Sequence, residues 1–246
     1  MPAELTKEEI RDIIIAFGDG AYRAKVWGFD AVQLHGAHGY LISQFLSPLT
    51  NRRTDEYGGS IENRSRFLLE TYKNVRESVG SDYPVLIKLN AEDNINGGLG
   101  INDAIYVARR LNDAGIDAIE VSAGTPASGK KGPIRIQINK PEKEAYNLEL
   151  ARRIKSAVNC PVMVVGGFRS YEVIEKALNE DNIDYIALGR PLIREAALAN
   201  RWQKGDRRPA TCLSCNRCFK PGLKEGGTYC VTERIMQERH QKKQNV

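Results

Sequence analysis

Short apolar runs alternate along the chain with longer stretches in which apolar residues recur every three or four positions. The apolar runs predict five strands, which are Asp30 to His35, Pro84 to Leu89, Ile116 to Val121, Pro161 to Val165 and Asp184 to Leu188. The stretches between them have helical spacing, and the first begins at Thr6 with a capping box, Thr6-Lys7-Glu8-Glu9. Short apolar strands separated by helices are typical of a parallel sheet that is covered on both faces.

The helical stretches predict one helix that carries Phe67 to Val75 on one face. Further helices are predicted over 103–114, over 143–157, from a Ser170 cap to Leu178, and near 191–203. A barrel and an open doubly wound sheet both fit this alternation. Glycines after the last two strands favour a barrel, because barrels often bind phosphate with the loops at those positions. Plain turn chemistry explains the same glycines equally well. The sequence has neither a G-x-G-x-x-G nor a Walker motif.

The charge is unevenly distributed, and this bears on possible partners. Residues 201–246 hold 11 Lys and Arg against 4 Asp and Glu, whereas the whole chain has a net charge of +5. No aromatic residues interleave with the basic ones as they would in a nucleic-acid surface, so we expect no nucleic-acid partner. No apolar stretch is long enough to cross a membrane, and the first residues do not resemble a secretory signal. We therefore expect a cytoplasmic protein.

Candidate chemistry lies where the first predicted strand ends. His35-Gly36-Ala37-His38-Gly39-Tyr40 follows that strand, and the carboxyl ends of parallel strands form the catalytic edge of α/β folds. Two imidazoles and a phenol offer hydrogen-bond donors and an acid. Metal binding by His35 and His38 is an alternative, although no nearby carboxylate completes a ligand set.

Four of the five cysteines form a second candidate site. Cys212, Cys215, Cys218 and Cys230 have the spacing C-x2-C-x2-C-x11-C. In a cytosolic protein, clustered cysteines indicate metal ligands before disulfides. Four thiolates suit a [4Fe–4S] cluster, and structural zinc is the alternative. Cys160 opens an apolar strand and is predicted to be a buried thiol.

These motifs also carry a family resemblance. It rests on Leu34 to Leu41, Gln44-Phe45-Leu46-Ser47-Pro48, Asn51 to Ser60, Glu62-Asn63-Arg64 and Arg66-Phe67. The chain resembles the Old Yellow Enzyme family of NADH:flavin oxidoreductases along nearly its whole length. Within that family it is similar to the branch that contains 2,4-dienoyl-CoA reductase and trimethylamine dehydrogenase, which adds an iron–sulfur segment. The resemblance favours [4Fe–4S] over zinc.

The resemblance implies a role for each candidate residue. His35 and His38 match the pair that binds the activating group of an unsaturated small molecule, and Tyr40 matches the proton donor. Hydride would pass from NAD(P)H to FMN and then to the β-carbon of an activated C=C bond. Lys88 matches a cation beside the flavin pyrimidine, and a solvent-facing lysine is its alternative. The residues that match the FMN phosphate site are Gly166, Gly167, Gly189 and Arg190. The loop over residues 51–60 is expected to be scaffold.

The family barrel has eight strands, whereas five are predicted here. We therefore expect residues 1–205 to form part of an FMN-binding TIM (β/α)8-type barrel, and residues 206–246 to form the iron–sulfur segment with a basic tail. A separate N-terminal chain or a homo-oligomer would complete the sheet, and the chain expressed alone is expected to be poorly soluble or oligomeric and largely free of flavin. The alternatives are an inactive scaffold of that family and a different barrel enzyme with histidine metal ligands.

Overall fold

The computed structural model describes residues 3–244. Within this range the chain forms five strands, which are β1 (Val32–Gly36), β2 (Val85–Asn90), β3 (Ala118–Ser122), β4 (Val162–Val165) and β5 (Tyr185–Ala187). Its α-helices are α1 (Lys7–Val26), α2 (Leu41–Leu46), α3 (Ile61–Arg64), α4 (Arg66–Val79), α5 (Ile101–Asp113), α6 (Leu148–Lys155), α7 (Tyr171–Asn179), α8 (Arg190–Arg194), α9 (Leu198–Gln203), α10 (Phe219–Lys224) and α11 (Val231–Gln244). Two 3₁₀ turns cover Pro126–Lys131 and Pro141–Lys143. No helix in the described range is long and apolar enough to cross a membrane.

The five strands form one parallel sheet in the order β1-β2-β3-β4-β5. Each strand therefore lies beside its neighbour in sequence, with helical crossovers between them. A doubly wound sheet reverses its strand order part-way, whereas a (β/α)8 barrel adds strands sequentially in one direction. The order confirms the predicted fold class, part of a TIM-type barrel, and excludes the doubly wound alternative for the described residues.

The two faces of this sheet differ in burial. Aligned residues of the first four strands point toward the helices and are buried in the main apolar core, namely Leu34, Ile87, Ile119 and Val162. The opposite face carries a polar row that is partly exposed. Burial of this opposite face varies along the sheet, because His35 on β1 is exposed whereas Glu120 on β3 is buried.

Three helix predictions need correction. The stretch 143–157 forms a 3₁₀ turn and then α6, because Ala145 adopts a left-handed backbone with φ 54° between them. Ser170 precedes α7 but does not cap it with its side chain. Its hydroxyl instead donates to Glu144 Oε1 at 2.7 Å. The helix predicted near 191–203 is divided into α8 and α9, and Glu195 ends the first of them.

Internal hydrogen bonds hold the long loop between α2 and α3. Asn51 is buried, and its Nδ2 donates to the carbonyls of Phe45 and Tyr57, both at 2.7 Å. Arg53 donates from Nε to Asp55 at 3.0 Å and from Nη1 to the Leu5 carbonyl at 2.6 Å. These charged side chains bind protein atoms of the loop and its surroundings, which agrees with the expectation that the loop is scaffold.

Gly58 in this loop gives a stability test. A Cβ atom at Gly58 would lie 2.0 Å from the carbonyl oxygen of Arg53, and this backbone atom is held by the contacts above. Gly58→Ala should lower the free energy of unfolding by about 3 kcal/mol, the upper range for overpacking. Denaturant titration measures the change.

Gly20→Ala is the matched control. A Cβ atom at Gly20, inside α1, would approach only Arg23 Nη2, at 3.8 Å. Alanine is the better helix former, so the control should keep or raise stability by up to about 1 kcal/mol. Equal effects of the two substitutions would show that the close approach at Gly58 is not what requires glycine.

Candidate active site at the carboxyl edge of the sheet

A row of polar side chains crosses the inner face of the sheet. His35 on β1 is aligned with Lys88 on β2, and Lys88 is aligned with Glu120 on β3. Successive residues of a strand point to opposite faces, so aligned residues of neighbouring parallel strands share one face. The structure therefore brings the predicted residues His35 and Lys88 together, and adds Glu120 beside them.

Glu120 joins three strands. It is 6% exposed, and its Oε1 forms an ion pair with Lys88 Nζ. Its Oε2 accepts a hydrogen bond from Gln33 Nε2 at 2.9 Å. A buried carboxylate is stable only with such partners. Lys88 is thus held on the inner face, and the alternative of a lysine that points to bulk solvent does not apply.

The segment after β1 folds the other two candidate residues back over this row. His38 and Gly39 adopt positive φ angles of 63° and 79°, so the chain turns sharply before α2 begins. The His35 ring lies 5.3 Å from that of His38 and 5.0 Å from that of Tyr40, measured between centroids. Tyr40 is 62% exposed. The sequence prediction grouped these three residues, and in the structure their rings are neighbours.

Buried polar residues fix the position of His38. Its Nε2 lies 2.7 Å from the hydroxyl of Ser122, which is buried at the end of β3. Its backbone N–H is directed to Asn90 Oδ1 at 3.5 Å, and Asn90 in turn donates to Asp93 at 2.7 Å. Ser122 Oγ has no other hydrogen-bond partner among the described residues, so it can donate to Nε2 or accept from it, according to the tautomer of the ring. Where the hydroxyl donates, the Nδ1 proton of a neutral imidazole is left for a ligand.

Both imidazoles favour the neutral form. Partial burial lowers the pKa of His35, the charge of Lys88 lowers it further, and Glu120 opposes these effects. Burial, followed by the charges of His35 and Lys88, lowers the pKa of His38 to about 4. At neutral pH each ring therefore carries one N–H donor and no charge.

The residues predicted to bind phosphate lie at the ends of β4 and β5. Gly166 and Gly167 pack against the start of α6, where a Cβ at Gly167 would lie 2.9 Å from the Tyr146 ring. A Cβ at Gly189 would meet no atom within 4 Å, so space is open there. Arg190 Nη1 donates to the Arg135 carbonyl at 2.8 Å and to Asn216 Oδ1 at 2.6 Å. Close packing against the start of α6 thus explains why glycine stands at Gly166 and Gly167. Their role in binding phosphate stays a prediction.

The four clustered cysteines line one small cavity together with Arg190 and Thr232. Cys212 is buried, Cys215 is exposed, and Cys218 and Cys230 are partly buried. Cys215 Sγ lies 3.3 Å from the Thr232 hydroxyl. Within residues 3–244, no group of three or more His, Cys, Asp or Glu side chains is arranged to hold a metal ion. The sulfurs share a cavity but are not in a ligating arrangement.

Comparison with known proteins settles the family. The model of the NADH:flavin oxidoreductase / NADH oxidase family matches residues 1–208. The chain belongs to this family. The resemblance read from the His35 to Tyr40 segment and the loop after it is therefore confirmed. The match stops before Cys212, so it says nothing of the cysteine segment.

Two curated relatives and one solved structure give the extent of the likeness. NADH oxidase of Thermoanaerobacter brockii is 42% identical over 87% of this chain and 33% of its own length. NADPH dehydrogenase of Clostridium acetobutylicum is 44% identical over 78% of this chain and 54% of its own length. A 2-naphthoyl-CoA reductase, solved as its 2-naphthoyl-CoA complex, aligns with a TM-score of 0.79 at 35% identity, over 88% of this chain and 32% of that one. The chain thus spans a third to a half of these proteins.

Sequence reasoning missed Glu120, Ser122 and Asn90. Glu120 had a signal, because it is the single carboxylate in an apolar strand, Ala118-Ile119-Glu120-Val121-Ser122. Its alternation with Ile119 and Val121 places it on the face opposite the core. Ser122 and Asn90 had no such signal, because strand-end polar residues are also ordinary turn formers.

The low pKa of His38 predicts how stability depends on pH. The unfolded chain has the ordinary histidine pKa of about 6.5, and the folded one is lower, so unfolding takes up a proton between these values. This contribution to stability is fully present above about pH 6.5 and is lost as pH falls toward 4. His38→Asn should remove part of the loss, measured as a smaller drop in melting temperature between pH 7 and pH 5. An NMR titration that placed the His38 pKa near 6.5 would contradict the assignment.

Proposed function

We propose that this chain provides the catalytic part of an FMN-dependent oxidoreductase that uses NAD(P)H to reduce an activated C=C bond. The observation that carries the proposal is the grouping of His35, His38 and Tyr40 at the end of β1, beside Lys88 on β2. Family membership supports the flavin and the nicotinamide donor, since the relatives are named NADH oxidase and NADPH dehydrogenase. The naphthoyl thioester in the structural relative is an example of a conjugated carbonyl substrate.

The site chemistry follows from the neutral imidazoles. One N–H from His35 and one from His38 would donate to the carbonyl oxygen of the substrate. Negative charge develops on that oxygen as the β-carbon accepts hydride, so donors aimed at it stabilise the transition state. The exposed phenol of Tyr40, whose ring is adjacent to His35, would then protonate the α-carbon.

The residues present fit FMN in two places. Lys88 supplies a cation on the inner face where the family has one beside the flavin pyrimidine, and Glu120 fixes its ammonium group. The open space at Gly189, next to Arg190, would admit a phosphate, with Gly166 and Gly167 at the neighbouring strand end. When bound, FMN supplies the hydride. The chain's own residues hold it, orient the substrate and provide the proton.

One observation favours the alternative of an inactive family scaffold. The Lys88 charge is already neutralised by Glu120, and Arg190 Nη1 already donates to two protein acceptors. Flavin binding would compete with these contacts. Flavin absorbance distinguishes the two functions when the chain is combined with the N-terminal segment expected above and with FMN, because a scaffold would retain no flavin even then.

We also propose that Cys212, Cys215, Cys218 and Cys230 bind a [4Fe–4S] cluster. The proposal is supported by their spacing and by the single cavity that all four line. Burial opposes ionisation of Cys215, but hydrogen bonds from Thr232 and the backbone N–H of Arg217 lower the pKa of its thiol, whereas burial raises the pKa of Cys218. Cluster assembly would draw the sulfurs together from their present arrangement.

Tyr40→Phe tests the catalytic proposal. It should slow enone reduction by about 100-fold, the scale of general acid catalysis, while NADPH still reduces the flavin at its normal rate. Stopped-flow absorbance separates the two half-reactions. Tyr22→Phe, at an exposed tyrosine of α1, is the control and should change neither rate. Normal enone turnover in Tyr40→Phe would exclude the proton-donor role.

The cluster proposal predicts about four irons and four sulfides per chain after anaerobic purification, with brown colour. Cys212→Ser should lower iron content sharply, because a thiolate ligand is lost, whereas Cys160→Ser should not. Metal analysis and the visible spectrum provide the measurement. Stoichiometric zinc without iron would instead establish the structural zinc site.

A further inference from the structure

A cavity of about 670 Å³ lies within the segment that joins β3 to α6, and the functions above leave it unassigned. Its walls have two kinds of side chain. Ile134, Ile136, Ile138 and Tyr146 supply apolar surface, and the first two of these are exposed although they are large. Lys130, Arg135 and Lys143 supply positive charge. Such a lining fits an anion that carries an apolar body.

Arg135 is the main reason to expect an anion. Its guanidinium carbon lies 4.1 Å from the centre of the Tyr146 ring. Its Nε is buried and has no hydrogen-bond partner, and no carboxylate lies within 4.0 Å of it among the described residues. Burial lowers the pKa of Arg135. A partly buried cation without an acceptor is unfavourable, and a bound anion would remove that cost.

The acidic side chains of the cavity do not pair with Arg135. Glu144 accepts hydrogen bonds from the backbone N–H groups of Arg169 and Ser170, and from the Ser170 hydroxyl. Those contacts place both of its oxygens at the start of α7. Glu142 is exposed on the rim. Neither carboxylate of the cavity therefore pairs with Arg135.

The surroundings hold Arg135 in place without such a group. The Tyr146 hydroxyl donates to the Pro133 carbonyl at 3.1 Å, which fixes the ring under the guanidinium. The Arg135 carbonyl accepts the hydrogen bond from Arg190 described above. At the rim, Lys143 Nζ donates to Gln137 O at 3.2 Å and to Asn139 Oδ1 at 3.1 Å. The cation is thus positioned before any ligand arrives.

We propose that this cavity binds the phosphate group of a phosphate ester through Arg135, with Lys130 and Lys143 at its rim. A guanidinium with free N–H groups matches phosphate oxygens in geometry and charge. The apolar walls would contact the organic part of the ester. The FMN phosphate is placed at Gly189 and Arg190 above, so we assign the ester at Arg135 to a second ligand, such as a dinucleotide or an acyl thioester of coenzyme A. The phosphate of FMN is the other source of the same chemistry, and the experiments below distinguish the two. Phosphate binding here does not require the reduction proposed above.

Calorimetric titration of the 246-residue chain with inorganic pyrophosphate tests the proposal. Arg135→Gln should weaken binding by about ten-fold or more, since a charge-assisted bidentate contact is lost. Arg11→Gln, which removes the same charge from an exposed position on α1, should leave binding unchanged. Equal affinities of the Arg135→Gln and Arg11→Gln variants would overturn the proposal.

Melting temperatures separate binding from a structural role. Without ligand, Arg135→Gln should melt at the same temperature as the unchanged chain or higher, because an unpaired buried charge is removed. The rise in melting temperature that pyrophosphate causes should be lost. A lower melting temperature without ligand, combined with an unchanged pyrophosphate effect, would show that Arg135 only supports the fold and would overturn the proposal.

The source of the phosphate is decided by comparing FMN with riboflavin. If it is the flavin's, Arg135→Gln should lower FMN affinity and leave riboflavin affinity unchanged. If it belongs to a second ligand, both flavins should bind as before, and the affinity for NADPH or coenzyme A should fall. Either result supports the cavity as a phosphate site. Loss of enone turnover without a change in phosphate binding would concern the proposed reduction and would not count against the phosphate site.

Discussion

The ion pair between Lys88 and Glu120 is the interaction on which the candidate site depends. Glu120 is buried, and its two oxygens bind Lys88 and Gln33, so one carboxylate connects β1, β2 and β3 on the inner face. Removing either charge would leave the other without its partner in a poorly solvated place, which is much more costly than losing an exposed pair. The same contact holds the Lys88 ammonium beside His35. Burial is the main cause of the lowered pKa of both imidazoles and the Lys88 charge adds to it, whereas Glu120 opposes it at His35.

The arrangement of the site follows from strand register. Parallel pairing aligns His35 with Lys88 and Lys88 with Glu120, so residues far apart in sequence become neighbours at one edge. The turn at His38 and Gly39 then returns the chain over that edge, and Ser122 at the end of β3 receives the His38 ring. The geometry therefore depends on the sheet, which aligns Lys88 and Glu120 within their strands, while the turn after β1 adds His38.

The sequence predicted much of this and missed specific parts for physical reasons. Local patterns identified all five strands, and the ring cluster of His35, His38 and Tyr40 lies within six residues, so no tertiary knowledge was needed. Glu120 and Ser122 act across 84 or more positions along the chain from Gln33 and His38, and nothing local in the sequence encodes such pairs. Ser170 shows the converse, because a good local capping signal lost to a tertiary partner, Glu144.

Arg190 connects the barrel edge with the cysteine segment. Its Nη1 binds the carbonyl of Arg135, which carries the proposed phosphate-binding guanidinium, and the side chain of Asn216, which lies between Cys215 and Cys218. A second contact runs parallel to it, from the Gln137 backbone N–H to the Ser214 carbonyl at 3.2 Å. Ala210 also joins Leu198 and Trp202 in a small apolar cluster. These contacts cross the predicted boundary at residue 205, so the cysteine segment is joined to the barrel edge by hydrogen bonds and apolar packing. The backbone of the segment that carries Arg135 is therefore held in part by residues that follow the predicted barrel.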